Sequence, residues 1–484
     1  MSLNTEERVG PAPARRRRSA AVSHPSPAER AARGKAARAT APLESHGEFT
    51  PSETRPDPVD LLLGQATSRA PELVPIRHGR MLVSPFTFFR GGALPMAADL
   101  ATTPSAGLSV QLCGDAHLSN FGIFASPERR MVFDLNDFDE TLPGPFEWDV
   151  KRLAASFAVA TRESGFSDKE RRKVVMTAVG AYRKAMREFA AQATLAVWYA
   201  RLDVEAYLAD LRTNTKAPPL KRTEAALAKA RSRDGMQAVS KLTTVVDGQV
   251  RFRHDPPLVV PVEDLFVGIE RDALYSELRD LVRKYRRSLQ SDRRHLLELF
   301  ALVHMARKVV GVGSVGTRAF VLLFDGGGGV DPLVLQAKEA QRSVLSDYAG
   351  KSTYANEGAR VVAGQHLMQA VSDIFLGWNR SNGADGVQRD FYIRQLRDGK
   401  FSIPVEELLP PGMAVYARAC GWTLARAHAR SGDRVAISRY LGKSDRFETA
   451  LSVFAERYAD QNETDYAAFS AAVKDGRAEA TTGV

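Results

Sequence analysis

Cysteine is nearly absent: Cys113 and Cys420 are the two among 484 residues, set in unrelated local contexts. They supply neither a disulfide framework nor a paired-cysteine zinc site, so a reducing, cytoplasmic setting is expected. Histidine is scarce as well, nine in all, and the nine do not form the ligand motifs of a two-metal hydrolase. No apolar run approaches the ~20 residues of a membrane span, and the Arg-rich start leads into Ala, Pro and Ser rather than an apolar leader segment. Internal repeats are lacking. What is present is ordinary for a globular protein, with 44% hydrophobic and 26% charged residues against roughly 45–50% and about 25%.

The net charge of +10 suggests nucleic acid until it is divided along the chain. Residues 1–40 hold nine Lys/Arg and three Glu, hence +6, which leaves +4 for the remainder. The body is nearly neutral, so no specific nucleic-acid partner is expected, and the Arg-rich start attracts polyanions only loosely. Lacking apolar periodicity, residues 1–56 are expected to be a disordered basic tail.

The remainder reads as α+β, rich in helix, with a small antiparallel sheet lobe late in the chain. Residues 57–300 form a first segment in which two loops dense in Asp, Asn and Gly interrupt helices. Ser167 and Glu170 make a capping box there, and Asp247-Gly248 marks a hairpin. A basic turn is expected around Arg77 to Arg80. Residues 301–400 alternate glycine turns with β-branched and aromatic runs, with a helix over 356–375 and a strand over 391–396. Residues 401–484 return to helix.

The first loop is Gly114-Asp115-Ala116-His117-Leu118-Ser119-Asn120, and a strand separates it from Asn136-Asp137-Phe138-Asp139-Glu140. Phosphoryl transfer needs a carboxylate to orient the attacking hydroxyl and separate oxygen ligands for Mg²⁺. Asp115 suits the first role; Asn120 and Asp137 suit the second. His117 and Asp139 are read as supporting residues. Arg90, in Phe88-Phe89-Arg90-Gly91-Gly92, reads first as a surface Arg before a turn and secondly as a candidate for holding a phosphate.

The order Gly-Asp-x-His-x-x-Asn, then Asp-Phe, resembles the catalytic and metal loops of aminoglycoside phosphotransferases and choline-kinase-like enzymes, which share the protein-kinase-like fold. Asp149, twelve residues past Asp137 in Pro145-Phe146-Glu147-Trp148-Asp149, matches that group's loop-anchoring Asp. Residues 75–470 also resemble a bacterial family of domains of unknown function.

A second constellation follows. Gly311-Val312-Gly313-Ser314-Val315-Gly316 is a Gly-x-Gly-x-x-Gly run, but Thr317 to Phe324 continues as strand where a dinucleotide fold opens a helix. Strand, glycine loop, strand is the phosphate-covering hairpin of kinases. Val334-Leu335-Gln336-Ala337-Lys338 resembles the kinase strand whose Lys holds the nucleotide phosphates, and Glu357 is expected to fix that Lys from the next helix. The order of parts is reversed relative to a kinase, so the resemblance implies a circularly permuted, two-lobed fold. Residues 391–396 would then be its hinge strand, and the helix over 416–428 would lead toward the catalytic loop. His428 to Asp433 reads first as the end of that helix with Gly432 as its C-cap; the permutation would place His428 and Asp433 near the catalytic loop, as supporting or substrate residues. These readings converge on a phosphotransferase using ATP and Mg²⁺ on a small-molecule acceptor. Adenylyl transfer, or a catalytically idle nucleotide-binding scaffold, are the alternatives.

Overall fold

The computed structural model describes residues 24–214, 235–246, 248–266, 268, 270–309, 311, 313, 315–328, 331–383, 385–396 and 401–483. Strands β1 (Ser109–Leu112), β2 (Phe121–Ala125), β3 (Met131–Leu135) and β4 (Leu142–Pro145) make two small ribbons, β1 against β4 and β2 against β3. The short β5 (Leu202–Asp203) extends the second. Strands β6 (Thr243–Val246) and β7 (Gln249–Phe252) are the expected hairpin, with Asp247 outside the described residues. Six strands then build one antiparallel sheet: β8 (Val259–Pro261), β9 (Ala301–Lys308), β10 (Ala319–Asp325), β11 (Pro332–Ala340), β12 (Gly377–Asn382) and β13 (Gln388–Gln395). Their order across the sheet is β12-β13-β11-β10-β9-β8. The fold is α+β.

Alternation along β10 explains how this sheet is held on both faces. Leu322 and Phe324 enter one apolar cluster with Leu274, Leu278 and Tyr285 of the helix Arg271–Arg286. Val321 and Leu323 enter another with Val239 and Phe252, as the two-residue period of a strand requires. The lobe therefore begins well before the expected boundary at residue 301, because β8 pairs with β9 and the helices Arg271–Arg286 and Ser291–Glu298 supply one of its faces.

The larger body is helical. Helices Phe146–Glu163, Asp168–Ala190, Pro410–Ser431 and Arg446–Lys474 enclose a core that also takes β1 to β4. Ser167 and Glu170 form the expected capping box. The basic stretch around Arg77 is a helix, Val74–Met81, and the apolar run after it is another, Pro85–Gly91. Pro75 and Pro85 occupy first-turn positions, where a missing N–H costs nothing.

Part of the expected tail is ordered. Residues 1–23 lie outside the described residues, but Pro27–Thr40 is a helix opened by a capping box of Ser26 and Glu29. Its residues have little apolar character, and what docks it is close backbone approach: a Cβ on Gly34 would lie 2.0 Å from the Ala436 carbonyl oxygen. Arg30 also pairs with Asp433 at 2.8 Å, and Arg38 donates to the Tyr440 carbonyl. Among the described residues no helix is long and apolar enough to cross a membrane.

Candidate active site

The first acidic loop leaves β1 through Cys113 and Gly114. Gly114 has φ +87°, and a Cβ there would meet the Glu140 carbonyl oxygen at 2.4 Å, so only glycine lets the two acidic loops touch. Asp149, in the first turn of the helix Phe146–Glu163, accepts from the backbone N–H groups of Cys113 (2.6 Å) and Gly114 (3.0 Å). His428 Nε2 lies 3.2 Å from the same carboxylate, and the Tyr182 hydroxyl lies 2.9 Å from His428 Nδ1. All three side chains are buried. They fix the loop from behind without facing the cleft. Asp433 is further removed, capping the helix Arg434–Leu441 through the N–H groups of Val435 and Ala436. The helix Pro410–Ser431 ends at Gly432 as expected. Of the supporting or substrate roles open to His428 and Asp433, His428 supports the loop from behind with its ring enclosed by partners, and Asp433 is committed to a helix end.

Asp115 faces the cleft. Its Oδ1 receives Nη2 (2.7 Å) and Nε (2.9 Å) of Arg152, which projects from the helix that carries Asp149. His117 Nε2 is 3.6 Å from Oδ2. Burial raises the Asp115 carboxyl above its usual value and outweighs the opposing pull of Arg152. Asn120 donates its amide nitrogen to the Asp115 carbonyl at 2.7 Å, which leaves the amide oxygen for another partner.

Register places the second loop beside the first. Phe121 pairs with Leu135, and the next rung is the Asn136 N–H donating to the Asn120 carbonyl at 2.9 Å. Asn120 and Asp137 therefore stand at one end of one ribbon. Across the cleft, Lys338 on β11 reaches Asp139 Oδ2 at 2.8 Å and Asp137 Oδ2 at 3.7 Å. Its neighbour in register on β13, Tyr392, donates its hydroxyl to Asp139 Oδ1 at 2.6 Å. Burial disfavours the Lys338 charge, yet Asp137 and Asp139 outweigh it and hold the ammonium above its ordinary value. Burial likewise works against the Asp139 carboxylate, and Lys338 with Tyr392 brings it down to about 2. Asp137 moves the other way, raised by burial and then by the charge of Asp139.

Glu357 does not serve Lys338. It begins the helix Glu357–Met368, shorter than the expected 356–375, and pairs with Arg360 one turn on. Buried Arg360 in turn donates to the carbonyls of Thr141 (2.8 Å), Asp139 (2.9 Å) and Gln341 (2.9 Å), tying this helix to the acidic loop. Asp139 reaches Lys338 first, because its loop rises to the strand while Glu357 is held by a nearer guanidinium.

The glycine run connects β9 and β10 as a hairpin loop. Gly311 and Gly313 line the cleft, and Ser314 lies outside the described residues. The Gly316 carbonyl accepts from the Ala70 N–H at 2.8 Å, and Arg69 Nη1 donates to the Val315 carbonyl at 2.6 Å, so the loop rests on the segment before the helix Val74–Met81. The cleft has a volume of about 1090 Å³ and is lined by Asp115, His117, Asn120, Asp137, Lys338 and Arg90 among others. Among the described residues no group of three or more His, Cys, Asp or Glu is arranged to hold a metal. Asn120 and Asp137 offer two hard oxygen donors, which fits an ion such as Mg²⁺ that keeps waters and substrate phosphates as its other ligands.

Arg152, Tyr392, Arg360 and Arg394 escaped the sequence reading. Arg394 donates to the Asn136 carbonyl at 3.0 Å. The alternation Tyr392–Arg394 on one strand was a usable signal for a polar face opposite Lys338; Arg152 had one too, three residues past Asp149 and so on the same helix face.

Fold and site together define an α+β protein with an ion-paired cleft between a six-stranded sheet and a helical body. The chain belongs to a family described as an uncharacterized protein conserved in bacteria (DUF2252), whose model matches residues 69–472. No curated protein and no solved structure matches the chain.

Proposed function

We propose that this protein is an ATP- and Mg²⁺-dependent phosphotransferase of circularly permuted, kinase-like fold. The observation that carries the proposal is the approach of Lys338 to within 3.7 Å of Asp137, two residues 201 positions apart, with Asp115 lining the same cleft. The order β9, glycine loop, β10, β11 with its Lys, helix, β12, β13 supports a kinase-like nucleotide lobe. That lobe follows the catalytic loop in the chain, as a permutation requires. Pairing of Lys338 with Asp139 rather than with Glu357 departs from the kinase pattern.

In this reading the glycine loop covers the nucleotide phosphates and Lys338 holds them by charge. Asp137 and the Asn120 amide oxygen would hold Mg²⁺, which neutralises phosphate charge when bound. Asp115 orients the acceptor hydroxyl and takes its proton late in the transfer. Its raised carboxyl lies nearer to working pH than an ordinary Asp, as suits a general base. Arg152 occupies Oδ1 and fixes the plane of the carboxylate, leaving Oδ2 to face the acceptor. Asp149 and His428 hold the loop that carries it.

The test is incubation of the purified protein with ATP, Mg²⁺ and a bacterial small-molecule extract, followed by mass analysis of the products. Acceptor plus phosphate, with release of ADP, supports the proposal. Acceptor or protein plus AMP points to adenylyl transfer, and ATP binding without turnover points to a scaffold.

A further inference from the structure

The cleft carries more positive charge than a nucleotide site of this kind uses. Lys and Arg outnumber Asp and Glu ten to six among its lining residues. Four of the arginines, Arg69, Arg77, Arg80 and Arg90, come from one short stretch of chain, and three of them matter here. Arg69 precedes the helix Val74–Met81, Arg77 lies within it, and Arg90 lies near the end of the helix Pro85–Gly91.

The hydrogen bonds of Arg69 and Arg77 go to neutral groups. Arg69 donates to the Val315 carbonyl (2.6 Å), and Arg77 donates to the Gln65 side-chain oxygen (3.1 Å) and the Gly91 carbonyl (2.9 Å). Arg69 Nε, Arg77 Nε and Nη1, and Arg90 Nε are buried with no hydrogen-bond partner. Arg77 is 1% exposed and Arg69 6%. Burial lowers the pKa of all three, and Arg69 and Arg77 are close enough for their charges to oppose each other. Glu140, Asp139 and Glu339 on one side, and Asp115 and Glu406 on the other, act on them only through space. A buried guanidinium without a paired anion is costly, and all three of these residues line one cavity, whose occupant could relieve that cost with phosphate or carboxylate oxygens.

Arg69 supports the glycine loop and also feels Asp139 and Glu339 beside Lys338, whereas Arg90 lies toward Asp115. Arg90 acts on Asp115, the residue read as the base, and its carbonyl oxygen lies 3.7 Å from where a Cβ on Gly313 would sit. The cluster thus borders the space between the glycine loop and Asp115, where an acceptor must enter. We infer that the cleft binds an acceptor bearing an anionic group, a phosphate or carboxylate, held by Arg69, Arg77 and Arg90 beside Asp115. The inference rests on the phosphotransferase reading for the word acceptor, and on the arginines alone for the anion. Like-charge repulsion from the same wall disfavours an amino-bearing cation.

The experiment is calorimetric titration of inorganic phosphate into the full chain, alone and saturated with Mg²⁺ and a non-hydrolysable ATP analogue. Phosphate should bind in both states with affinities within about threefold, and Arg90→Gln should weaken it at least about tenfold while changing analogue affinity by less than about threefold. Arg90 is the chosen position because it is only partly buried, and circular dichroism confirms that the variant is folded; Arg77→Gln is the second variant. Phosphate excluded by the bound analogue would overturn the inference, since the arginines would then serve the nucleotide's own phosphates. Absence of phosphate binding in either state would overturn it as well. Phosphate binding that Arg90→Gln weakens, in a protein that takes no ATP analogue, would sustain the anion site and overturn the phosphotransferase reading instead.

Discussion

Replacing Lys338 by Met removes one charge and little volume, and its consequence can be worked from the cleft. The ammonium is 2.8 Å from Asp139 and 3.7 Å from Asp137, on a side chain that is 4% exposed. Without it the two carboxylates are left close together near the half-buried Arg394. Breaking a buried pair from one side costs ~3–5 kcal/mol. Asp137 and Asp139 retain 31% and 27% of their exposure, however, so water screens part of the loss. We expect ~1–3 kcal/mol, read from urea unfolding at pH 7. Adding Asp139→Asn should return part of that, giving a coupling of about 1–2 kcal/mol between the two positions. The pH dependence has a definite sign. Asp139 has its pKa lowered to about 2, so its pairing with Lys338 stabilises above the ordinary carboxylate value and is lost as pH falls from about 4 toward 2. The gap between parent and Lys338→Met should narrow over that window. Equal stability of parent and variant at pH 7, or simple additivity of the two substitutions, would refute the claim that this pair closes the cleft.

Asp115→Asn should leave ATP affinity within about threefold while lowering turnover by a factor on the order of 10² to 10⁴, measured by ADP release. Asp149→Ala strips the acceptor from two buried N–H groups, at Cys113 and Gly114; the expected loss is about 2–5 kcal/mol in urea unfolding, with turnover falling although Asp149 does not line the cleft. Burial raises the Glu140 carboxyl to about 7, so its contribution to stability is greatest below the ordinary value of 4.5 and declines as pH rises toward 7. Glu140→Gln should therefore show a flatter stability profile between those pH values, with an unchanged slope being the contrary result.

Legibility followed the range of the interaction. Asp115, Asn120 and Asp137 share short motifs whose spacing sets their geometry, and Gly311, Gly313 and Lys338 lie on a hairpin and its neighbouring strand. These residues line one cleft, as local patterns read separately from two parts of the chain suggested. The partner of Lys338 was harder, because Glu357 and Asp139 are both plausible by residue type and only the height of the acidic loop against β11 decides between them. The helix Pro27–Thr40 was hidden for a different reason: it docks by the close approach of Gly34 to Ala436, which leaves no apolar stripe to read. The arginine cluster was partly visible as a basic stretch, but a turn and a buried helix differ only through packing. Asp433 and His428 fell near the expected helix end in sequence, and neither faces the cleft.

The central claim is that Lys338 and Asp137 flank a Mg²⁺-nucleotide site, and calorimetric titration of ATP with and without Mg²⁺ tests it most directly, on the parent and on Asp137→Asn. The account predicts binding that depends on Mg²⁺ in the parent and loses that dependence in a variant that remains folded. No ATP binding to the parent, or the same Mg²⁺ dependence in both proteins, would contradict it.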